Sequence, residues 1–303
     1  MSDNKILVVR GGAIGDFILT LPVLAALRQQ FPRTQIELLG YPHIAQLALS
    51  GGLTDAVRPI EARALAGFFA RSGILAPELA DYFASFAIIL SYLYDPDGIF
   101  QANIARVTKA QFIAGPHRPE ESATLHATDV FMKPLERLAI FDADPVPRLT
   151  IHQSRITSHQ FALHPGSGSE RKNWPEAKWA GLLQHLVAHT PFNLLLIGGE
   201  AEGDRLPRLA APLPSERIAL LQNIPLTELA GRLQECAAFV GHDSGITHLA
   251  AALGLRTLVL WGETVEAVWR PRGEGVTILR KSAGLDAMTV RDVVEQLEAV
   301  LTR

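Results

Sequence analysis

At 303 residues the chain is too long for one ordinary domain and comfortable for two with separate cores. Its 48% hydrophobic content, 19% charged content and formal net charge of −3 describe a soluble globular protein and exclude a general nucleic-acid binder. Cys236 is the single cysteine, which excludes an intramolecular disulfide, and it is expected to fill a core. No apolar run reaches the roughly 18 residues of a membrane span, and the start MSDNKILVVR lacks the regions of a signal peptide, so a cytoplasmic protein is expected.

In chain order, short β-rich runs alternate with helical patterns, as in parallel sheets built from βαβ units. The first series runs KILVV, QIELLG, DAVRPI, FAIILSY and AQFIAG, and a helical stretch over 127–141 closes it. The Pro-containing polar passage at 144–158 has no sustained periodicity and is read as the linker. A second series follows through FALHPG, NLLLIGG, IALLQ, AAFVGHD, RTLVLWG and VTILR, and the amphipathic segment VRDVVEQLEAVLTR ends the chain. The same architecture thus appears twice, and two facing doubly wound domains would leave a ligand cleft at the carboxyl ends of their strands.

Three stretches carry chemistry. In VVRGGAIGDFILTLP a buried strand meets Gly11, Gly12 and Gly15 before a helix. The dinucleotide spacing G-x-G-x-x-G fails there, because Ala13 and Asp16 stand where the second and third glycines belong. Asp16 sits at the strand tip, where its carboxylate either projects into a cleft or serves only the first helical turn. In HPGSGSERKNWPE, Ser167, Gly168 and Ser169 offer hydroxyl and N–H donors, and Arg171 and Lys172 add charge ahead of a helix over 176–189. This is the chemistry of an anion site, against the plainer reading of a solvated loop. In VGHDSGITHLAAALG, Asp243, Ser244 and Gly245 stand where a strand turns into a helix whose free N–H groups suit a diphosphate, with His248 in its first turn. Ile246, Leu249, Ala250 and Leu253 are its expected buried face, and a capping sequence is the plainer reading. No Cys or further His supports a metal at His242, Asp243 and His248, and Ser244 does not fit G-x-S-x-G.

Taken in order, GAIGDFILTLPVLAAL, HPGSGSERKNWPEAKW, VGHDSGITHLAAALG and LVLWGETVEAVWRP resemble glycosyltransferase family 9, the ADP-heptose:lipopolysaccharide heptosyltransferases. The resemblance implies a GT-B-like fold, with residues 1–150 as an acceptor-binding Rossmann-like domain and 151–303 as a nucleotide-sugar-binding one whose last helix packs back on the first. It implies an inverting transfer with no catalytic metal and no tightly bound cofactor, using ADP-heptose as donor. The acceptor would be a lipid-linked anionic sugar of the lipopolysaccharide inner core at the membrane's inner face, and the enzyme a monomer that binds no nucleic acid. In the same way Asp16 is implied as general base and Lys172 as the diphosphate contact. Ser167 and Gly168 are implied at phosphate or ribose, Asp243, Ser244, Gly245 and His248 at sugar and diphosphate, and Glu200 near adenosine with Glu202 as the alternative. One departure stands out: where the family reads Pro-Thr-Asp-Pro, this chain has Glu263, Thr264, Val265 and Glu266. Arg63, Arg71, Arg106, Lys109 and Arg118 either bind an anionic acceptor or decorate the surface. The competing functions are an epimerase-like enzyme or a nucleotide-sugar binding protein of the same architecture, and a dehydrogenase is disfavoured by the failed fingerprint.

Overall fold

The computed structural model describes residues 5–151 and 159–302. The chain divides into two compact units, Met1–Pro145 and Val146–Arg303. The division falls within the passage read as the linker, and residues 152–158 of that passage lie outside the described residues.

The first unit is built on five strands, β1 (Lys5–Arg10), β2 (Ile36–Gly40), β3 (Ala56–Pro59), β4 (Phe86–Ser91) and β5 (Gln111–Ala114). They lie parallel in the order β3-β2-β1-β4-β5. The central position of β1 explains its unbroken apolar run, since Leu7, Val8 and Val9 are buried on both faces. Pro59, which has no N–H to donate, falls on the edge strand β3. Around the sheet run α1 (Ile14–Ile18), α2 (Leu21–Gln30), α3 (Pro42–Ser50), α4 (Pro77–Ala84), α5 (Ile99–Ala105) and α6 (Ala127–Met132). The helix expected over 127–141 is shorter than its pattern: α6 tightens into a 3-10 turn at Lys133–Leu138, and Ala139 at φ 57° ends it. Pro134 is the physical cause, because its ring and missing N–H oppose a continuing α-helix.

The second unit carries β6 (Gln160–His164), β7 (Asn193–Gly198), β8 (Ile218–Gln222), β9 (Ala238–His242), β10 (Arg256–Trp261) and β11 (Val276–Arg280), parallel in the order β11-β10-β9-β6-β7-β8. Its helices are α7 (Glu176–His189), α8 (Arg205–Ala210), α9 (Leu226–Gln234), α10 (Gly245–Ala252), α11 (Glu266–Trp269) and α12 (Val290–Thr302). One core joins Phe161 and Leu163 of β6, Val240 of β9 and Leu258 of β10 to Trp179 and Leu182 of α7. Val293 and Leu297 of α12 belong to the same core, and α12 packs against α7, β10 and β11. Every strand run expected from the sequence is a strand, and Cys236 is buried with its thiol pushed up to about 12, chiefly by that burial. The helix α10 is more enclosed than the one-sided pattern suggested: Thr247, His248, Ala251 and Ala252 are buried as well as Leu249 and Ala250, while Ile246 and Leu253 are half-buried.

Candidate active site

In the second unit the carboxyl ends of β6, β9 and β10 converge on Asp243. Its Oδ2 accepts 2.8 Å hydrogen bonds from Lys172 Nζ and from Thr264 Oγ1, and its Oδ1 lies 4.0 Å from His248 Nε2. Asp243 and His248 are both buried, whereas the Lys172 side chain is 36% exposed and so keeps a face toward solvent. An ammonium has three donors, so Lys172 can hold Asp243 and still meet an incoming anion. Lys172, Asp243 and His248, named from the sequence, are thus brought together, and Thr264 joins them from the loop that departs from the family pattern. Its departure from the family pattern marked that loop in the sequence, with Thr264 keeping the frame, but nothing there showed that Thr264 turns toward Asp243.

The Gly–Ser loop is built as a rigid cradle. Gly168 has φ +76°, which an L side chain rarely adopts, and a Cβ there would meet nothing, so its backbone is open to a ligand. Ser167 Oγ turns inward, to Ser169 O at 2.9 Å and Asn173 Oδ1 at 2.7 Å, which braces the loop. Arg205 of α8 ties it down, its Nη2 donating to both Glu170 carboxylate oxygens at 2.7 and 2.8 Å and its Nη1 to Pro165 O. His242, fully buried at the end of β9, fastens the other side. Its Nε2 accepts from the Trp174 N–H at 2.8 Å, so the single proton of the neutral ring sits on Nδ1, 3.2 Å from Gly166 O. Burial, the largest cause, lowers His242 to about 4 and His164 beside it to about 3, so both stay neutral at pH 7.

Ser244 is the N-cap of α10: its Oγ accepts from Thr247 N at 3.3 Å and lies 3.3 Å from His164 Nδ1. The capping reading therefore holds for its hydroxyl, and what remains for an anion are the free N–H groups of the helix start at Gly245. The two acidic candidates after β7 separate cleanly. Glu202 is buried, accepts from Gly199 N at 2.6 Å and packs so closely on Gly166 that a Cβ there would collide with its carboxylate. Glu200 is exposed, and among the described residues its side chain has no hydrogen bond or ion pair, which leaves it open to a ligand.

In the first unit, Asp16 lies in the first turn of α1, its Oδ2 accepting from Ala13 N at 3.3 Å. Gly12 at φ +98° brings the chain past it, where a Cβ would come within 3.2 Å of that oxygen. Beneath it is Arg10, 2% exposed, which donates to Asp16 O at 3.1 Å and His117 O at 2.9 Å and lies 4.0 Å from Asp16 Oδ1. The guanidinium also sits 4.5 Å from the Phe131 ring centroid. Burial lowers its pKa, yet an arginine stays charged at neutral pH, so Asp16 faces a fixed cation that sequence reasoning missed. A cavity of about 500 Å³ opens over Asp16, lined by residues that follow the carboxyl ends of the strands, among them Tyr41, Glu61, Tyr94 and His117. Of the five basic residues singled out, Arg118 lines this cavity and pairs with Glu121, Arg71 pairs with Asp97, and Arg106 donates to Gly73 O and Asn103 Oδ1. Of the five, Arg118 alone is among the residues lining the cavity.

Two doubly wound parallel sheets with such sites at their carboxyl ends define a GT-B-like fold, and solved structures share it. The chain matches the family 9 glycosyl transferase of Veillonella parvula over 100% of its length and 98% of that chain, with TM-score 0.80 and 17% identity. It matches E. coli ADP-heptose lps heptosyltransferase II over 98% of each chain, with TM-score 0.79 and 17% identity. Among curated relatives, lipopolysaccharide heptosyltransferase 1 of Salmonella typhimurium is 25% identical over 86% of this chain and 89% of its own. Its Pseudomonas aeruginosa counterpart is 37% identical over 43% of this chain and 33% of its own. Residues 126–296 match glycosyltransferase family 9 (heptosyltransferase), and the chain belongs to that family.

Proposed function

We propose that this family 9 glycosyltransferase moves a heptose from ADP-heptose to a sugar hydroxyl of the lipopolysaccharide inner core, with inversion at the anomeric carbon. The observation that carries the reading is the knot of Lys172, Thr264 and His248 around the buried Asp243, beside the braced Gly–Ser loop. Departure of ADP places negative charge on the β-phosphate. Lys172, the amides around Gly168 and the N–H groups at Gly245 are fixed donors for that charge, and fixed donors need no reorganisation as it develops. Asp243 orients Lys172 and leaves the ammonium's other protons for phosphate, while Glu200 is the open carboxylate for the adenosine end.

Asp16 takes the proton of the acceptor hydroxyl as that oxygen attacks the anomeric carbon from the face opposite ADP. The C–O bond to the acceptor forms as the bond to the diphosphate breaks, and this single displacement inverts the centre. Arg10 holds the backbone carbonyl of Asp16 and sets a fixed cation 4.0 Å from its carboxylate. The names of the relatives support donor and acceptor alike, since they are lipopolysaccharide heptosyltransferases, and solved neighbours include a heptosyltransferase with ADP. Calorimetric titration with ADP, ADP-heptose, UDP and UDP-glucose tests the donor. Tight binding confined to the adenine pair is expected; equal binding of the uridine pair would overturn the assignment.

A further inference from the structure

Among the described residues, the strongly exposed aromatic rings are Tyr41, Phe69, Tyr94 and Phe141, at 36, 42, 71 and 70% exposure, and the first three line the cavity over Asp16. Large rings left in water and gathered around one concavity mark a binding surface. Phe69 and Tyr94 also rest against neighbouring rings. Phe69 stacks on Phe100 at 5.2 Å between centroids with 14° between planes, so one face is covered while the residue stays 42% exposed. Its loop is closed by Gly67 and Gly73, which approach so nearly that a Cβ on Gly67 would strike Ile74 O and one on Gly73 would strike Gly67 O. The buried Asn103 amide locks that loop by donating to Phe68 O at 3.0 Å and Ala70 O at 2.9 Å, and Arg106 donates to Gly73 O at 2.9 Å. Tyr94 rests edge-on against His117, 4.6 Å between centroids.

We propose that this cavity reads its acceptor by stacking a sugar ring on Phe69 and Tyr94, which makes these two residues determinants of acceptor specificity. The inference deepens the proposed function and rests on its placing of the acceptor beside Asp16. A sugar ring has C–H faces that are apolar and a rim of hydroxyls that is not. The faces suit fixed aromatic surfaces, and the rim meets Asp16, Glu61 and His117 in the same cavity. A pre-locked loop spends little ordering entropy on binding, so the rings select for shape rather than adapt to it.

The test uses the full chain and, as probe, deacylated lipopolysaccharide from a heptose-deficient strain, titrated by calorimetry and used as acceptor with ADP-heptose. Phe69→Leu and Tyr94→Ala are expected to raise both its Kd and its KM about tenfold, the scale of a ring contact. Tyr94→Phe keeps the ring and is expected to restore the affinity, and ADP is expected to bind all variants as it binds the parent. Tyr94 is so exposed that its substitution spares the fold even if that of Phe69 does not. Oligosaccharide affinity within about twofold of the parent in both ring-removing variants overturns the proposal. So does a parallel loss of ADP affinity, or no oligosaccharide binding by the parent. Asp16→Asn separates the two readings: full turnover in that variant removes the base and leaves the binding result standing, whereas lost turnover with intact stacking effects supports both.

Discussion

Lys172 and Asp243 hold each other at 2.8 Å, so the residue proposed to meet the diphosphate is already placed by a partially buried ion pair. Removing the ammonium takes away a charge-assisted contact and leaves Asp243 facing the phosphate with no cation. Lys172→Ala is therefore expected to weaken ADP binding by about 1.5 to 3 kcal/mol in calorimetry. Equal affinity in variant and parent would remove Lys172 from the site. Much of this residue-level picture was legible in the sequence, because Lys172, Asp243 and His248 stand at strand–helix junctions where anions bind. Arg10 and Thr264 were not. Arg10 closes a strand whose apolar run is Ile6 to Val9, and its burial against Phe131 depends on a helix more than a hundred positions away. Sequence periodicity carries no signal for such a contact.

At the scale of elements, the Gly–Ser loop keeps its shape because three neighbours grip it: Arg205 from α8, Asn173 from its own exit and His242 from β9. The histidine grip depends on protonation. His242 and His164 have folded values of about 4 and about 3, depressed from an ordinary 6.5. Between those values the unfolded chain binds protons that the folded unit refuses, so stability is complete above about pH 6.5 and falls as the pH drops toward 4. The loss is up to about 1.4 kcal/mol per histidine for each pH unit. Thermal melts followed by circular dichroism at pH 7 and pH 5 check this; a melting point that does not fall at pH 5 would contradict it. The order of strands and helices was readable from alternating runs, because each parallel strand is apolar and each turn carries Gly, Pro or Asp. The helix over 127–141 was misjudged in length, since apolar spacing continues through Pro134 where the backbone geometry cannot. The locked loop at Gly67–Gly73 escaped notice for a related reason: its glycines serve contact with each other, which no local pattern displays.

For the whole molecule, two units with separate sheets and cores imply that ligands stabilise them separately. ADP at a hundred times its Kd is expected to add about 2.7 kcal/mol to the unit that binds it. Hydrogen exchange with and without ADP should show the added protection in Val146–Arg303, around Gly168 and Gly245; protection centred on the cavity at Asp16 would reverse the assignment of donor and acceptor units. The central claim is that Asp16 performs the proton transfer of a sugar displacement rather than merely finishing a helical turn. Both roles fit its contact with Ala13 N, and asparagine serves a helix start nearly as well as aspartate. The direct measurement is acceptor-dependent release of ADP from ADP-heptose, at saturating donor and acceptor, for the parent and Asp16→Asn, with the glycosylated product confirmed by its mass. The account predicts turnover lower by about two to four orders of magnitude in Asp16→Asn, with ADP affinity and melting point near those of the parent. Turnover within about threefold of the parent would contradict it and leave Asp16 as a structural residue.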